Sequence, residues 1–461
     1  MSRSWRSEIG SLLTLAAPLV FAQLAQHGIA FVDTLMVGRL GPAPLAGIAL
    51  GGAVLGFVYI VSMAFMLAVG PQVAQAVGAA DKGEAARAAR QGLWLAALVS
   101  LPAVLVLRNA GAWLVRAGQE PAVAEAAGGY LTAVSYGLPA ALCYVALRGF
   151  LEGHGNTRPI LLIALFSVGF NVFANYVLIY GHYGFPELGL AGAGYATSLV
   201  YAAMLALVVS YVARRYRVYA VFAGLLRPDP RMLRELFRVG WPISLTLGFE
   251  VGLFFATALL VGRFGEAPLA GHQIAIQTAT LTFMMPLGIG AAVAVRVGQA
   301  VGRRDLGAAR LSGHTGMAVA AAVMVVTAMV FLLAPMAVIG IYLNLADPAN
   351  AAVIGFAASF LAIAGLFQVV DGIQVTAAGA LRGLKDTRVP MLISLVSYWL
   401  VGMPTGLALA FGLGLGPRGL WFGLVVGLAA AALLLSLRFD RRTRSGRFGG
   451  ATAGAPPGLV R

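Results

Sequence analysis

The sequence predicts an all-α polytopic membrane protein, with twelve transmembrane helices arranged as two parallel six-helix repeats. Three observations predict this. Hydrophobic residues make up 60% of the 461 positions and charged residues only 11%, with a mean hydropathy of +0.87. A soluble domain carries about 25% charged residues. Long apolar runs recur along nearly the whole chain, and the chain matches itself at an offset of 224 residues. Gly (59) and Pro (21) are abundant, as close packing of helices in a bilayer favours. The single cysteine, Cys143, rules out an intrachain disulfide.

In order, the apolar runs place spans at 9–38, 44–70, 91–107, 126–147, 159–181 and 190–213, then at 235–262, 268–295, 311–341, 351–381, 389–411 and 419–437. Residues 1–8 are polar and lead into an apolar segment too long for the core of a signal peptide, so no cleavable signal is expected. The first six spans form an N-lobe over 1–213 and the last six a C-lobe over 235–437. Between them, 214–234 is a linker rich in Arg, with Pro228 and Pro230. The tail, 438–461, is basic, rich in Gly and Pro, and expected to be disordered.

The formal charge of +15 is an orientation signal and not a nucleic-acid footprint. With the N-terminus inside, cytoplasmic segments hold 27 of the 32 Lys and Arg, and the outer side only Arg39, Arg108, Arg116, Arg263 and Arg418. The positive-inside rule therefore predicts that both termini are cytoplasmic.

Residues 37–47 read VGRLGPAPLAG and 261–271 read VGRFGEAPLAG, nine identities in eleven; 75–83 (QAVGAADKG) and 299–307 (QAVGRRDLG) share six of nine. Pro18 aligns with Pro242 without a gap, and GHGNTR at 153–158 matches GLKDTR at 383–388. Six helices per half keep both halves in the same orientation, so one half can rock against the other around a midplane site.

Three carboxylates, Asp33, Glu250 and Asp371, lie inside apolar runs; the other 14 of the 17 acidic residues fall in loops, tails or helix ends. A charge at a bilayer centre costs about 2.5–3.5 kcal/mol on insertion scales, which makes such acids candidate functional groups attracting cations. Asp33 shares a helix face with Gln26 and Gln23, and Pro18 on that span is a candidate hinge, since it removes a backbone donor. Asn171 and Asn175 share a face of the fifth span. With Asp33 their carbonyls would make an oxygen-lined pocket for Na⁺ or H₃O⁺; the same amides also serve as interhelical glue. Glu250 has Thr246 and Thr257 on its face, and Asp371 has Gln368 and Gln374 a turn either side. His272, Gln273 and Gln277 on the eighth span precede the soft patch Phe283, Met284 and Met285. Such side chains suit a pocket for varied apolar shapes and equally suit contact with lipid. A carboxylate poised to gain or lose a proton is what proton-coupled exchange requires. No HExxH, GxSxG, Cys–His cluster or P-loop is present, and the GxGxxG match at 414–419 lies in a loop between apolar spans, without a βαβ context.

VDTLMVGRLG at 32–41, LAGHQIA at 269–275 and PLGIGAAVAVRVGQ at 286–299 resemble the multidrug and toxic compound extrusion (MATE) family, and the likeness covers about residues 10–437. Acids in the first, seventh and tenth helices are similar to its NorM-like branch. The resemblance implies a secondary antiporter of the bacterial inner membrane that exports small lipophilic organic cations in exchange for H⁺ or Na⁺. With catalytic motifs absent and the basic charge an orientation signal, no cofactor, nucleic acid or enzymatic reaction is expected, and nothing in the sequence demands more than a monomer in the lipid bilayer. The resemblance implies an N-lobe cation site of Asp33, Asn171, Asn175 and Thr197 and a C-lobe site of Glu250 and Asp371. The candidate substrate pocket, read from the spans themselves, draws on Gln26, Gln273, Gln277, Phe283, Met284, Gln368 and Gln374. One departure stands out: Phe367 occupies a position, one turn before Asp371, where NorM-like members often carry Tyr. A lipid or oligosaccharide flippase, an intramembrane enzyme and a channel are the alternatives, in that order.

Overall fold

A computed structural model describes residues 5–444, and these are helical throughout, without strands. The spans are α1 (Trp5–Gly38), α2 (Pro42–Gly78), α3 (Lys82–Arg116), α4 (Pro121–Ser135 and Leu138–Gly153, meeting at 49°), α5 (Arg158–Tyr180) and α6 (Gly189–Arg215). The second half has α7 (Pro230–Gly262), α8 (Glu266–Gly302), α9 (Leu306–Leu333), α10 (Ala351–Gly383), α11 (Arg388–Gly412) and α12 (Pro417–Arg444). Counting the bent α4 as one span gives the expected twelve. The disorder expected for 438–461 lies outside the described residues beyond 444; up to Arg444 the chain continues α12.

Local chemistry sets the helix ends. Asp81 and Asp305, equivalent in the two repeats, cap α3 and α9 by accepting from the backbone N–H groups of Glu84 (2.8 Å) and Ala308 (2.8 Å). Asp229 caps α7, whose first residue is Pro230. The helices overrun the apolar segments because charged turns continue them beyond the bilayer core: α3 extends well past both ends of 91–107. The ninth span is the exception, ending at Leu333 and not at 341, because Pro335 cannot continue the ladder and starts a separate short helix, Pro335–Ile339. α1 runs through Pro18 as one helix.

α11 is not a regular α-helix. Two stretches, Val396–Gly402 and Ala408–Gly412, have the wider π winding, which re-aims side chains and often accompanies functional sites. Its neighbour α12 packs against it through glycines: a Cβ on Gly423 would lie 2.4 Å from the Gly406 Cα. Gly423→Leu is therefore expected to prevent α11 and α12 from closing, seen as loss of monodisperse protein on size-exclusion chromatography. Overpacking costs about 1–3 kcal/mol even where side chains alone must yield, and here the obstacle is backbone.

The lobes meet toward the face that carries Trp5 and Arg444, here the terminal face. Gly240 on α7 packs on the Phe65 backbone of α2, the Ser244 hydroxyl donates to the Val61 carbonyl (2.8 Å), and Gly288 on α8 packs on Val20 of α1. Nearest that face, the Glu8 carboxylate of α1 pairs with the Arg296 guanidinium of α8 (Nε–Oε1 2.9 Å) and accepts from the Ser312 hydroxyl of α9. None of the hydrogen bonds, ion pairs or glycine approaches that cross between lobes among the described residues involves the far ends of the spans. Among the described residues the lobes are thus joined at the terminal face, which makes the far face the side on which a cleft between them can open.

Candidate functional site

Each lobe buries an acidic centre. In the N-lobe, Asp33 lies five residues from the far end of α1, about 7.5 Å along the helix axis. Its Oδ1 accepts from Asn171 Nδ2 (2.9 Å) and Asn175 Nδ2 (2.6 Å), and its Oδ2 accepts from Thr197 Oγ1 (3.0 Å). The four side chains expected to meet therefore do meet, contributed by α1, α5 and α6, and all four are buried. The amides turn N–H groups, not carbonyls, toward the carboxylate. A carbonyl-lined Na⁺ pocket here would require both to rotate. Because a hydrogen bond to a charged acceptor contributes about 1.5–3 kcal/mol, Thr197→Val is expected to lower stability by about that amount in denaturation of the purified protein.

The C-lobe centre lies deeper. Glu250 on α7 and Asp371 on α10 are 6% and 4% exposed and are electrostatic neighbours, and the Tyr398 phenol of α11 is close enough to feel both. Asp371 Oδ1 has no hydrogen-bond partner among the described residues. Asp33 is surrounded by three donors, whereas Asp371 Oδ1 has none and Glu250 has, among the described residues, only the Arg382 guanidinium as a cation within electrostatic reach. Tyr398 accepts from Gln374 Nε2 (2.6 Å) and sits in the first π-wound stretch of α11. The phenol beside the carboxylates thus comes from α11, while Phe367 stacks on Trp421 with centroids 5.8 Å apart.

The remaining predicted residues divide into two sets. Gln273 and Gln277 are exposed on α8, with Phe283 and Met284 half-buried further along it. Gln368 is tied back, its Oε1 accepting from Thr282 (2.6 Å) and Thr327 (3.1 Å). Gln26, with Gln23, accepts from Arg148 Nη1 at 3.3 and 3.2 Å respectively. Thr246 and Thr257 donate to backbone carbonyls of their own helix, not to Glu250.

Sequence reasoning missed two interior cations. Arg148 on α4 pairs with Glu152 (2.7 Å), both side chains 11% exposed, and Arg382 on α10 lies within electrostatic reach of Glu152 and Glu250. Each arginine falls one residue beyond a span drawn to end at the first charge, at 147 and at 381. The helices continue to Gly153 and Gly383. The repeat itself held the signal, since GHGNTR and GLKDTR mark those two ends.

Two parallel six-helix lobes joined at one face, with an acidic centre inside each, define a membrane transporter. Comparison with known proteins agrees. The MatE family model matches residues 18–177 and 242–407. A relative from Deinococcus radiodurans described as a probable multidrug resistance protein NorM is 44% identical over 447 residues, covering 96% of this chain and 98% of its own. The fold matches the crystal structure of the eukaryotic MATE transporter AtDTX14 with a TM-score of 0.83 at 21% identity, covering 96% of this chain and 99% of that one. It also matches, with a TM-score of 0.86 at 20% identity over 95% of this chain and 96% of that one, a MOP superfamily transporter from Pyrococcus furiosus whose reversed pocket polarity is said to suggest a different function. The chain belongs to the MatE family. It is a transporter and not an enzyme.

Proposed function

We propose that this protein is a multidrug efflux antiporter that exports cationic lipophilic compounds in exchange for H⁺ or Na⁺, with its termini in the cytoplasm. The observation that carries the reading is the Glu250–Asp371 pair: two neighbouring acids buried in the C-lobe, one carboxylate oxygen of Asp371 left without a partner. Two acids removed from water within electrostatic reach of each other, with only the Arg382 guanidinium acting on Glu250 in the opposite sense, favour uptake of one proton, one metal cation or one organic cation. These ligands therefore compete. With the terminal face cytoplasmic, as the distribution of arginines supports, the cleft opens outward. From that side a coupling ion neutralises the acids and the organic cation leaves; after reorientation the ion departs and the restored charge takes the next cation. Each ligand shifts the equilibrium between states only by its differential affinity for them. Asp33 and its three donors form the second ion site, in the N-lobe. The NorM relative's description as a multidrug resistance protein supports the choice of substrate.

Flipping of an anionic lipid would need a cation free to meet a phosphate in the cleft. Arg148 is held by Glu152, Gln23 and Gln26, and Arg382, whose Nε has no hydrogen-bond partner among the described residues, stands next to the terminal-face end of α10 at Gly383, away from the far face. The test is efflux of a cationic dye from proteoliposomes under an imposed H⁺ or Na⁺ gradient. Export driven by one gradient supports antiport and names the ion. Movement of lipid-linked sugar, with none of dye, replaces the reading with a flippase.

A further inference from the structure

The second repeated motif has a role that the acidic centres do not explain. Gln75 and Gly78 on α2 are equivalent, at the 224-residue offset, to Gln299 and Gly302 on α8. In the structure each pair reaches into the opposite lobe. Gln75 Nε2 donates to the carbonyl of Gly383, the last residue of α10 (2.8 Å), and Gln299 Nε2 donates to the carbonyl of Gly153, the last residue of α4 (3.0 Å). Gly153 and Gly383 are themselves equivalent in the GHGNTR and GLKDTR repeat. The glycines complete the symmetry. A Cβ on Gly78 would lie 2.2 Å from the Gln299 carbonyl oxygen, and one on Gly302 would lie 2.0 Å from the Gln75 carbonyl oxygen. Beside each accepting glycine stands a residue of opposite charge, Glu152 in one lobe and Arg382 in the other, close enough to attract across the interface.

We infer that Gln75, Gly78, Gln299 and Gly302 form a two-fold latch that holds the lobes shut at the terminal face, and that its release is the step that opens the protein to that side. The chemistry suits a reversible contact. A helix C-terminus leaves carbonyls without intrahelical donors, so each glutamine satisfies a group that water satisfies equally well once the lobes part. The glycines let the two backbones come close enough for both amides to reach at once. The latch works through lobe position alone and needs no substrate, so its test does not depend on the transport reading.

Spin labels at Leu45→Cys and Ile341→Cys in a Cys143→Ser background report the separation of the two lobes at the far face, where both native residues are exposed. In lipid nanodiscs without ligand, double electron–electron resonance on Gln75→Ala/Gln299→Ala is expected to shift the population ratio about tenfold toward the shorter far-face distance, since two neutral hydrogen bonds are lost from the latched state only. Gly302→Ala, which keeps both amides but blocks the close approach, shifts it the same way. Gln72→Ala, whose amide bonds Glu84 within the N-lobe (3.1 Å), leaves it in place. Distance distributions unchanged in both latch variants, with folded protein confirmed by thermal melting, overturn the latch. So does an equal shift in Gln72→Ala.

Discussion

Asp371→Asn and Glu250→Gln are each expected to lower gradient-driven dye efflux at least tenfold while leaving the protein folded. Both substitutions keep the shape of the side chain and remove its charge. An opposite charge about 4 Å away in an effective dielectric of about 20 contributes ~4 kcal/mol before desolvation is subtracted. A tenfold loss needs only about 1.4 kcal/mol of it to survive. Each substitution relieves the repulsion between the two acids and adds no charge to the interior, so the fold is expected to persist. Wild-type dye affinity should also weaken as pH falls on the cleft side, because protons compete for the same carboxylates, and each variant should flatten that dependence. The dependence is read by dye-binding fluorescence across a pH series. Full gradient-driven transport in both variants would remove the pair from the coupling mechanism.

The second large effect is on stability. Arg148→Met should destabilise the protein by about 3–5 kcal/mol, because removing one partner of a buried pair strands the other charge. Glu152, at 11% side-chain exposure, would lose its ion-pair partner, and Gln23 and Gln26 would lose the donor they now share. Most of that loss should return in Arg148→Met/Glu152→Gln, which removes both charges together. The comparison is made by thermal melting in detergent of wild type, both single variants and the double variant. A double variant as unstable as Arg148→Met would mean that the arginine stem, not its charge, holds α4 against α1.

The N-lobe centre was nearly complete in the sequence, because Asp33 interrupts an apolar run and Asn171 and Asn175 repeat at helical spacing. What periodicity could not reveal is which end of each amide faces the carboxylate, since that depends on donors from three different helices. Tyr398 was invisible for a related reason. A tyrosine in a span is unremarkable, and only the π winding of α11 turns this one toward Gln374 and the two acids. Arg148 and Arg382 were hidden because a span that ends at its first charge excludes a buried one, even where, as for Arg148 and Glu152, the ion partner stands one turn on in the same helix.

Composition and the internal repeat by themselves determined twelve helices in two parallel halves, because a bilayer forces every backbone group into an internal hydrogen bond and leaves helix count legible as apolar length. The family was legible only as the resemblance carried by the motifs at 32–41, 269–275 and 286–299. Tertiary structure alone decided how the repeats meet. Gln75 answers the Gly383 carbonyl, Gln299 that of Gly153, Glu8 crosses to Arg296, and Glu250 comes within electrostatic reach of Asp371. These pairs join residues more than a hundred positions apart. Side-chain spacing along one helix carries no information about the face of another until the glycines that let the helices touch have set the distance between them.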